Sequence, residues 1–312
     1  MVSKNKPLIV ILGTGGTIAG QARTASDNVG YTAAQLGVDD LVSAVPPLAQ
    51  RALEAEQVAQ LDSKDMDFAT WQRLAERVAH HLAREEVAGI VITHGTDTLE
   101  ETAYFLHRVL APRKPVVLTA AMRPATALQT DGPQNLLDAV SVASDEGAQG
   151  VLTVFAGAVH GPEQIRKVHS YKVDAFASSD GGLVAVVEEG VLRPLGAWPA
   201  AEGVVGLARI GKPAAAWPRV QIVLNHVGAD GALVQALLAQ GVDGLVVAGT
   251  GNGTLSLSLE QALRSAQQQG VRILRSSRCD AGPVTPSADA LPSAGALSPV
   301  KARIELLLEL LA

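Results

Sequence analysis

Short apolar runs alternate along the chain with longer segments in which apolar residues recur every three or four positions. The runs are apolar throughout instead of alternating with polar residues, which is typical of strands buried on both faces of a parallel sheet. The first half of the chain has four such runs, at residues 8–12, 89–93, 115–119 and 150–155.

Two segments between these runs have the period of an amphipathic helix. One apolar helical face in residues 67–85 is formed by Phe68, Trp71, Leu74, Val78 and Leu82. Asp67 is a suitable N-cap for this helix. A second helix is predicted from Thr98 to Leu110, with Glu100 and Glu101 in its first turn, where acidic side chains suit the helix dipole. Strands that alternate with helices indicate a parallel sheet covered by helices on both faces.

The composition changes near Arg193, where residues 192–218 become rich in Pro, Gly and Ala without a sustained period. Such a segment is typical of a linker. The strand–helix pattern then restarts, with strands at 220–224, 244–249 and 271–275 and helices at 230–240, at 255–269 and from Pro299. We therefore predict an α/β protein with a larger N-terminal domain of mostly parallel sheet (1–191), a linker (192–218) and a smaller C-terminal α/β domain (219–312).

Composition and charge exclude several classes of function. The 312 residues carry a net charge of −6 and only 3% aromatic residues, whereas nucleic-acid grooves need clustered cations and stacking rings. The single cysteine, Cys279, excludes an internal disulfide and a cysteine metal cluster. No apolar run approaches the roughly 20 residues of a membrane span, and the run after the lysine-bearing start is shorter than a signal-peptide core. We expect a cytoplasmic protein that binds neither nucleic acid nor a membrane.

Three predicted loops follow strands and set glycine beside threonine, at residues 13–17, 94–98 and 249–254. In open α/β sheets, ligands bind beyond the carboxyl ends of the strands. The first two loops would direct the hydroxyls of Thr14, Thr17, Thr96 and Thr98 into that crevice, beside Asp97. A lone Gly-Thr pair is usually just a tight turn, but two such turns in one sheet favour a functional site.

Other readings of these loops and of the histidines are poorly supported. The sequence lacks the dinucleotide fingerprint and the P-loop, because Ile18 stands where the last fingerprint glycine belongs and Gly211-Lys212 is followed by Pro213. His80 and His81 are neighbours on a helix and cannot share a face, so we expect no metal there. His94 we interpret as structural.

Four segments in this order resemble the bacterial L-asparaginases: TGGTIAG (14–20), LDSKDM (61–66), HGTDTLEETA (94–103) and RSSR (275–278). The resemblance covers nearly the whole chain, and the first and third motifs together are highly specific. It implies two α/β domains of unequal size and hydrolysis of L-asparagine to L-aspartate and ammonia, with some glutaminase activity in many members. It also implies a homotetramer that needs no metal or cofactor.

The resemblance assigns roles to particular residues. Thr14 matches the nucleophilic threonine of the family, and Tyr31 matches the tyrosine of its flexible active-site loop. Thr96, Asp97 and Lys167 match the second catalytic group. Ser63 and Asp97 match residues that hold the amino-acid end of the substrate. In the C-terminal domain, Thr254 stands where relatives place an Asn or Ser that reaches into a neighbouring subunit's site.

The sequence leaves alternatives open. Direct attack by a water held at Thr96 would use the same residues as attack by Thr14. The chain could also be the amidase subunit of a tRNA-dependent amidotransferase, although those relatives carry an N-terminal extension. A third alternative is a non-catalytic amino-acid-binding protein, against which the presence of all the expected catalytic side chains argues.

Overall fold

The structure is a computed structural model that describes residues 6–201 and 203–311. Residues 1–5, which hold part of the lysine-bearing start, lie outside the described residues. Contacts between Cα atoms divide the chain into two compact units, Met1–Leu207 and Ala208–Ala312. The division falls inside the segment predicted as a linker.

The larger unit is built on strands, of which ten lie in its described residues. They are β1 (Leu8–Gly15), β2 (Ala52–Leu61), β3 (Val87–Thr93), β4 (Val116–Thr119), β5 (Val151–Phe155), β6 (Ala158–His160), β7 (Ile165–Lys167), β8 (Phe176–Ser178), β9 (Ala185–Glu188) and β10 (Val191–Pro194). Eight of them form one sheet in the order β10-β9-β6-β5-β4-β3-β1-β2, and β7 pairs with β8 separately.

The sheet reverses its strand order at β1. Strands β2, β1, β3, β4 and β5 are parallel neighbours, and the later strands β6, β9 and β10 extend the sheet in antiparallel pairing. The prediction of a mostly parallel sheet is therefore confirmed. Because β1 lies between β2 and β3, the connection from β1 leads to β2 and that from β3 leads to β4, toward opposite edges of the sheet. The β1/β3 boundary is therefore a topological switch point, where open sheets of this kind bind ligands.

Helices cover both faces of this sheet, as alternating strands and helices predict. In the described residues before β5, the α-helices are α1 (Val38–Ser43), α2 (Phe68–Leu82), α3 (Leu99–Leu110) and α4 (Gly132–Ala143). Ile9 and Ile11 of β1 pack in one core with residues of α1 and α4. Alternate residues of a strand point to opposite faces, and on the other face Trp71 of α2 stacks on Phe105 of α3 with ring centroids 4.6 Å apart.

Several elements differ from the sequence prediction. Strand β2, helix α4 and the antiparallel strands after β5 were not predicted. Strand β10 places residues 192–194 of the predicted linker in the sheet, paired with β9. Asp67 caps α2 as predicted, because its side chain accepts a hydrogen bond from the backbone N–H of Thr70.

The smaller unit is a three-stranded parallel sheet with helices, as predicted. A four-residue helix, α5 (Leu207–Ile210), begins at the last residue of the larger unit. The elements that follow are β11 (Val220–Leu224), α6 (Ala232–Ala239), β12 (Gly244–Gly249), α7 (Leu257–Gln268), β13 (Arg272–Ser277) and α8 (Pro299–Leu310). The strand order is β11-β12-β13, and α6 and α7 share a core with Val223, Leu245 and Val247. Among the described helices of the protein, none is both long and apolar enough to cross a membrane.

Candidate active site

The loops after β1 and β3 meet backbone to backbone at the switch point. Gly16 has a φ of 82°, and a Cβ placed there would collide with the backbone of Gly95. A Cβ on Gly95 would in turn collide with the side chain of Ser63. Only glycine permits so close an approach. Close packing thus explains the glycines of the two Gly-Thr motifs. Their contact joins the loop that follows Thr14 to the loop that carries Thr96.

Thr14 lies near the end of β1 and is 1% exposed. Its Oγ1 donates a hydrogen bond to the backbone carbonyl of Thr93, 2.9 Å away, at the end of the neighbouring strand β3. This bond fixes the side chain between the two central strands, so its hydroxyl has a defined position at the switch point.

Lys167 reaches the loop after β3 from β7. Its Nζ donates to Thr96 Oγ1 at 2.9 Å and to Asp97 Oδ1 at 2.6 Å. The lysine side chain is 20% exposed, and the Asp97 side chain is 51% exposed. The structure therefore brings together the three side chains of the predicted second catalytic group. Lys167 lies 70 residues after Asp97 and 71 residues after Thr96 along the chain.

Ser63 joins the same loop from the turn that follows β2. Its Oγ accepts a hydrogen bond from the backbone N–H of Asp97 at 3.2 Å, and its carbonyl accepts one from Thr98 Oγ1 at 2.7 Å. Ser63 is buried, and the side chain of Asp62 caps its turn by accepting from the backbone N–H of Lys64. The predicted pair of Ser63 and Asp97 is thus in direct contact.

Tyr31 lies at the end of an exposed segment, residues 20–31, which leaves the first loop. Its hydroxyl forms a 2.7 Å hydrogen bond with Thr17 Oγ1. Backbone bonds between Gln21 and Thr32 close the segment into a loop. The described hydrogen bonds pair Tyr31 with Thr17 and Thr14 with Thr93, and they do not join Tyr31 to Thr14.

His94 is fully buried behind the Thr96 loop. Its Nδ1 lies 2.7 Å from the carbonyl oxygen of Gly95, and its Nε2 lies 3.0 Å from Thr102 Oγ1, which also accepts from Trp71 Nε1 at 2.9 Å. A carbonyl only accepts, so the imidazole carries its proton on Nδ1 and Thr102 donates to Nε2. Burial lowers the pKa of His94 to about 4. A neutral His94 thus acts as a structural link, as the sequence suggested.

Glu100 is a contact of the site that sequence reasoning missed. Its Oε1 accepts a hydrogen bond from the backbone N–H of Lys167 at 3.2 Å. The only sequence signal was an acidic residue in the first turn of α3, which helix-dipole effects explain equally well. Within the described residues, no group of three His, Cys, Asp or Glu side chains is arranged to hold a metal ion.

In the smaller unit, the RSSR segment holds the third Gly-Thr loop. Thr250 and Thr254 pair through reciprocal backbone hydrogen bonds of 3.0 and 2.8 Å. Arg275 donates to the carbonyl of Gly253, and Ser277 donates to that of Gly251 at 2.6 Å. These donors satisfy carbonyls of the loop that carries Thr254, so the loop has a fixed shape.

Two family models match most of the chain. Residues 8–195 match the family model described as asparaginase, N-terminal, and residues 219–312 match the glutaminase/asparaginase C-terminal domain. L-asparaginase 2 of Bacillus subtilis is 36% identical over 316 residues, covering 98% of this chain and 83% of that protein. The glutaminase-asparaginase of Pseudomonas fluorescens is 39% identical over 280 residues, covering 88% of this chain and 76% of that protein.

A further relative and a solved structure point to different compartments. A protein of Haemophilus influenzae named a probable periplasmic L-asparaginase is 36% identical over 313 residues, covering 97% of this chain and 88% of that protein. The crystal structure of a probable cytoplasmic L-asparaginase from Campylobacter jejuni matches with a TM-score of 0.92 and 36% identity, covering 98% of this chain and 95% of that chain. Both domains and nearly the full length are matched, and the chain belongs to the bacterial L-asparaginase family.

Proposed function

We propose that this protein is an L-asparaginase that hydrolyses free L-asparagine to L-aspartate and ammonia. Membership of the family supports an amidohydrolase. The observation that carries the proposal is a meeting of two segments at the β1/β3 switch point. The end of β1 carries Thr14, and the loop after β3 carries Thr96 and Asp97, which bind the Nζ of Lys167. A hydroxyl, a cation and a carboxylate at one switch point are what amide hydrolysis of a zwitterionic substrate needs.

Thr14 is the proposed nucleophile. Its Oγ1 attacks the side-chain amide carbon of asparagine, and the hydroxyl proton leaves through Tyr31 or through the Thr96–Lys167 pair. A threonine hydroxyl is a weak nucleophile without such a base. Backbone N–H groups, that of Thr96 among them, stabilise the oxyanion. The C–N bond then breaks, ammonia leaves with the proton, and water cleaves the ester to release aspartate and restore Thr14.

Direct attack by water is the alternative route within the same site. A water held at Thr96 would add to the amide carbon without an ester on Thr14. Rapid quenching during turnover, followed by proteolytic digestion and mass spectrometry of the peptides, separates the two routes. A transient mass increase equal to an aspartyl group on the peptide containing Thr14 supports the covalent route.

Asp97 and Ser63 are the proposed contacts for the charged end of the substrate. The half-exposed carboxylate of Asp97 suits the α-ammonium. Ser63 Oγ accepts from Asp97 N–H in the described hydrogen bonds, so its own O–H can donate to the α-carboxylate. A site built to pair both charges rejects substrates that lack one of them by orders of magnitude.

The test compares ammonia release from L-asparagine and from its Nα-acetyl derivative, which lacks the ammonium. We expect hydrolysis of free asparagine and at least about a hundredfold lower kcat/KM for the acetylated form. Asp97→Asn should raise KM for asparagine and reduce the ratio of kcat/KM for asparagine to kcat/KM for the acetylated form. Equal kcat/KM for the two compounds would show that Asp97 is not the ammonium anchor. L-glutamine in the same assay measures the minor glutaminase activity that we propose.

We also propose a homo-oligomer, a tetramer by resemblance, in which the Thr254 loop completes a neighbouring subunit's site. The fixed shape of that loop supports the proposal. Closed point symmetry is the usual arrangement for such assemblies. Sedimentation velocity with an activity assay on the separated species tests it, and a fully active monomer would contradict it.

The proposed location is the cytoplasm. It is supported by the name of the Campylobacter jejuni neighbour, whereas the Haemophilus influenzae relative is named periplasmic. Fractionation of cells that express the full-length protein, with marker enzymes for each compartment, decides between the two.

A further inference from the structure

Lys167 lies on a short hairpin, β7–β8, that has no described hydrogen-bonded pairing with the eight-stranded sheet. Among the strands of the described residues, β7 and β8 pair only with each other, over three residues each. A two-stranded hairpin is marginally stable in water by itself, so its position depends on contacts with its surroundings. Ile165 at the start of β7 is fully buried, and Phe176, which pairs with Lys167 in the hairpin, packs on Phe155 of β5 with ring centroids 4.8 Å apart. These contacts hold β7 at its buried start and from the β8 side, and the opposite edge of Lys167 faces the first turn of α3.

Residues 96–100, which include the first turn of α3, contact both the side chain and the backbone of Lys167 at the end of β7. Lys167 Nζ donates to Thr96 and Asp97 in the loop before α3, and the backbone N–H of Lys167 donates to Glu100 in the first turn of α3. The five residues 96–100 therefore accept hydrogen bonds from both the Nζ and the backbone N–H of Lys167.

The backbone bond uses the edge of the hairpin that β8 leaves open. The next residue, Val168, donates its N–H to Ala175 on the paired side at 2.8 Å. Successive N–H groups of a strand point to opposite sides, so the N–H of Lys167 faces outward. Glu100 supplies a half-buried carboxylate for this outward N–H. A charged acceptor makes the bond stronger than one between neutral groups.

We propose that Glu100 is a positioning residue that sets the distance between Lys167 and Thr96. It acts through the backbone of Lys167 and does not touch the substrate. The inference rests on the proposed catalytic role of Lys167. Without the Glu100 bond, the outward edge of Lys167 loses this backbone contact with α3, and the residue can shift relative to Thr96 while β8 still pairs with β7. A lysine displaced by about 1 Å transfers protons poorly, and misplacements of this size can cost up to about a hundredfold in rate.

The experiment uses four variants of the full-length protein: Glu100→Ala, Glu100→Gln, Glu101→Ala and Lys167→Met. Glu100→Ala should lower kcat for asparagine about tenfold while KM changes by less than about threefold, because the loss concerns transition-state proton transfer. Glu100→Gln keeps an oxygen that can accept the N–H bond, and it should restore kcat to within about threefold of the parent. Glu101→Ala removes an acidic residue from the same helical turn, which controls for the helix dipole. It should leave kcat within about twofold of the parent, since neighbouring helix positions point in different directions.

The outcomes separate this inference from the assignment of Lys167. If Lys167→Met is inactive and Glu100→Ala has the parent kcat, the positioning role is wrong and the catalytic assignment stands. If Lys167→Met keeps full activity, the catalytic assignment itself fails. A Glu100→Gln variant as slow as Glu100→Ala, or a Glu101→Ala variant that loses as much, would overturn the backbone bond as the cause. Circular dichroism and melting temperatures of all four variants establish that the compared proteins are folded.

Discussion

The two segments that carry Lys167 and Tyr31 are held in different ways. Lys167 is tied to Thr96, Asp97 and Glu100 by hydrogen bonds to its Nζ and its backbone N–H, and the loop that it meets rests on the buried His94. Tyr31 ends a segment, residues 20–31, most of whose side chains lie at the surface. That segment is held mainly by polar contacts, such as the bond from the backbone of Ala22 to Thr126 Oγ1 at 2.9 Å.

This difference matches two tasks within one reaction. Electrostatic groups are most effective when they are preorganised, because they then need no rearrangement as charge develops. A segment with few buried side chains opens at a low free-energy cost, and such segments admit substrate and then exclude water. In the mechanism that we propose, the Lys167 side performs the first task and the Tyr31 segment performs the second.

Thr14 is the nucleophile in the mechanism that we propose, so its loss should have the largest effect. Thr14→Val keeps the shape of the side chain and removes the hydroxyl. We expect turnover of asparagine to fall by at least about a thousandfold, since loss of a covalent nucleophile is of this order. Thr14→Ser, which keeps a hydroxyl, should retain more activity than Thr14→Val. Ammonia release measures both, and a valine variant near the parent rate would refute the assignment.

Removal of the preorganised cation should rank second. Lys167→Met keeps the length of the side chain, and we expect kcat to fall by about a hundredfold or more with a smaller change in KM, as for loss of a proton-transfer group. Lys172→Met, which removes an exposed lysine of the following turn, is the matched control. If the Lys172 variant is inactive and the Lys167 variant is normal, the register of this segment is misassigned.

The buried support of the Lys167 side should appear as a pH dependence of stability. His94 has a folded-state pKa of about 4, below the unfolded value of 6.5. Above pH 6.5 the imidazole is neutral in both the folded and the unfolded state, so it does not make the free energy of unfolding depend on pH. As the pH falls from 6.5 toward 4, the unfolded state binds a proton that the folded state does not. Stability therefore falls, by about 2 kcal/mol at pH 5.

Urea unfolding of the parent and of His94→Gln at pH 7.5 and pH 5 measures this loss, because the other titrating groups are common to both proteins. The parent should lose about 2 kcal/mol more than His94→Gln between the two pH values. His80→Gln, at an exposed position of the neighbouring helix, should show the parent's pH dependence. If His94→Gln also shows it, His94 is not the group that titrates.

The sequence predicted the buried strands and the motifs much better than it predicted the edges of the fold. Strands β1, β3 and β4 are apolar and buried, and their pattern has one interpretation. Strand β2, whose sequence is ALEAEQVAQL, is rich in helix-forming residues and only partly buried. It is a strand because β1 offers a parallel partner, and such tertiary context overrides local propensity.

The same limit applies to the candidate site. The residues that share a motif, such as Thr96 and Asp97, were found together because adjacent positions carry the signal. Lys167 was located only by resemblance, since a three-residue strand of a separate hairpin has no pattern of its own. The bond between Glu100 and the backbone of Lys167 joins residues 67 positions apart, and no spacing along the chain encodes it.

The smallest expected effect concerns the less constrained side of the site. Thr126→Val removes the acceptor for the backbone N–H of Ala22, near the start of the Tyr31 segment. Thr126 is exposed, so water can replace the lost partner, and the change should cost no more than about 1 kcal/mol of the closed arrangement. If closure is part of binding, kcat/KM for asparagine should fall by about fivefold or less, with the unfolding midpoint nearly unchanged. Thr126→Ser restores the hydroxyl and should restore kcat/KM. If Thr126→Val loses nearly as much kcat/KM as Lys167→Met, the Tyr31 segment is as preorganised as the Lys167 side. The two segments would then not have the separate tasks that we propose.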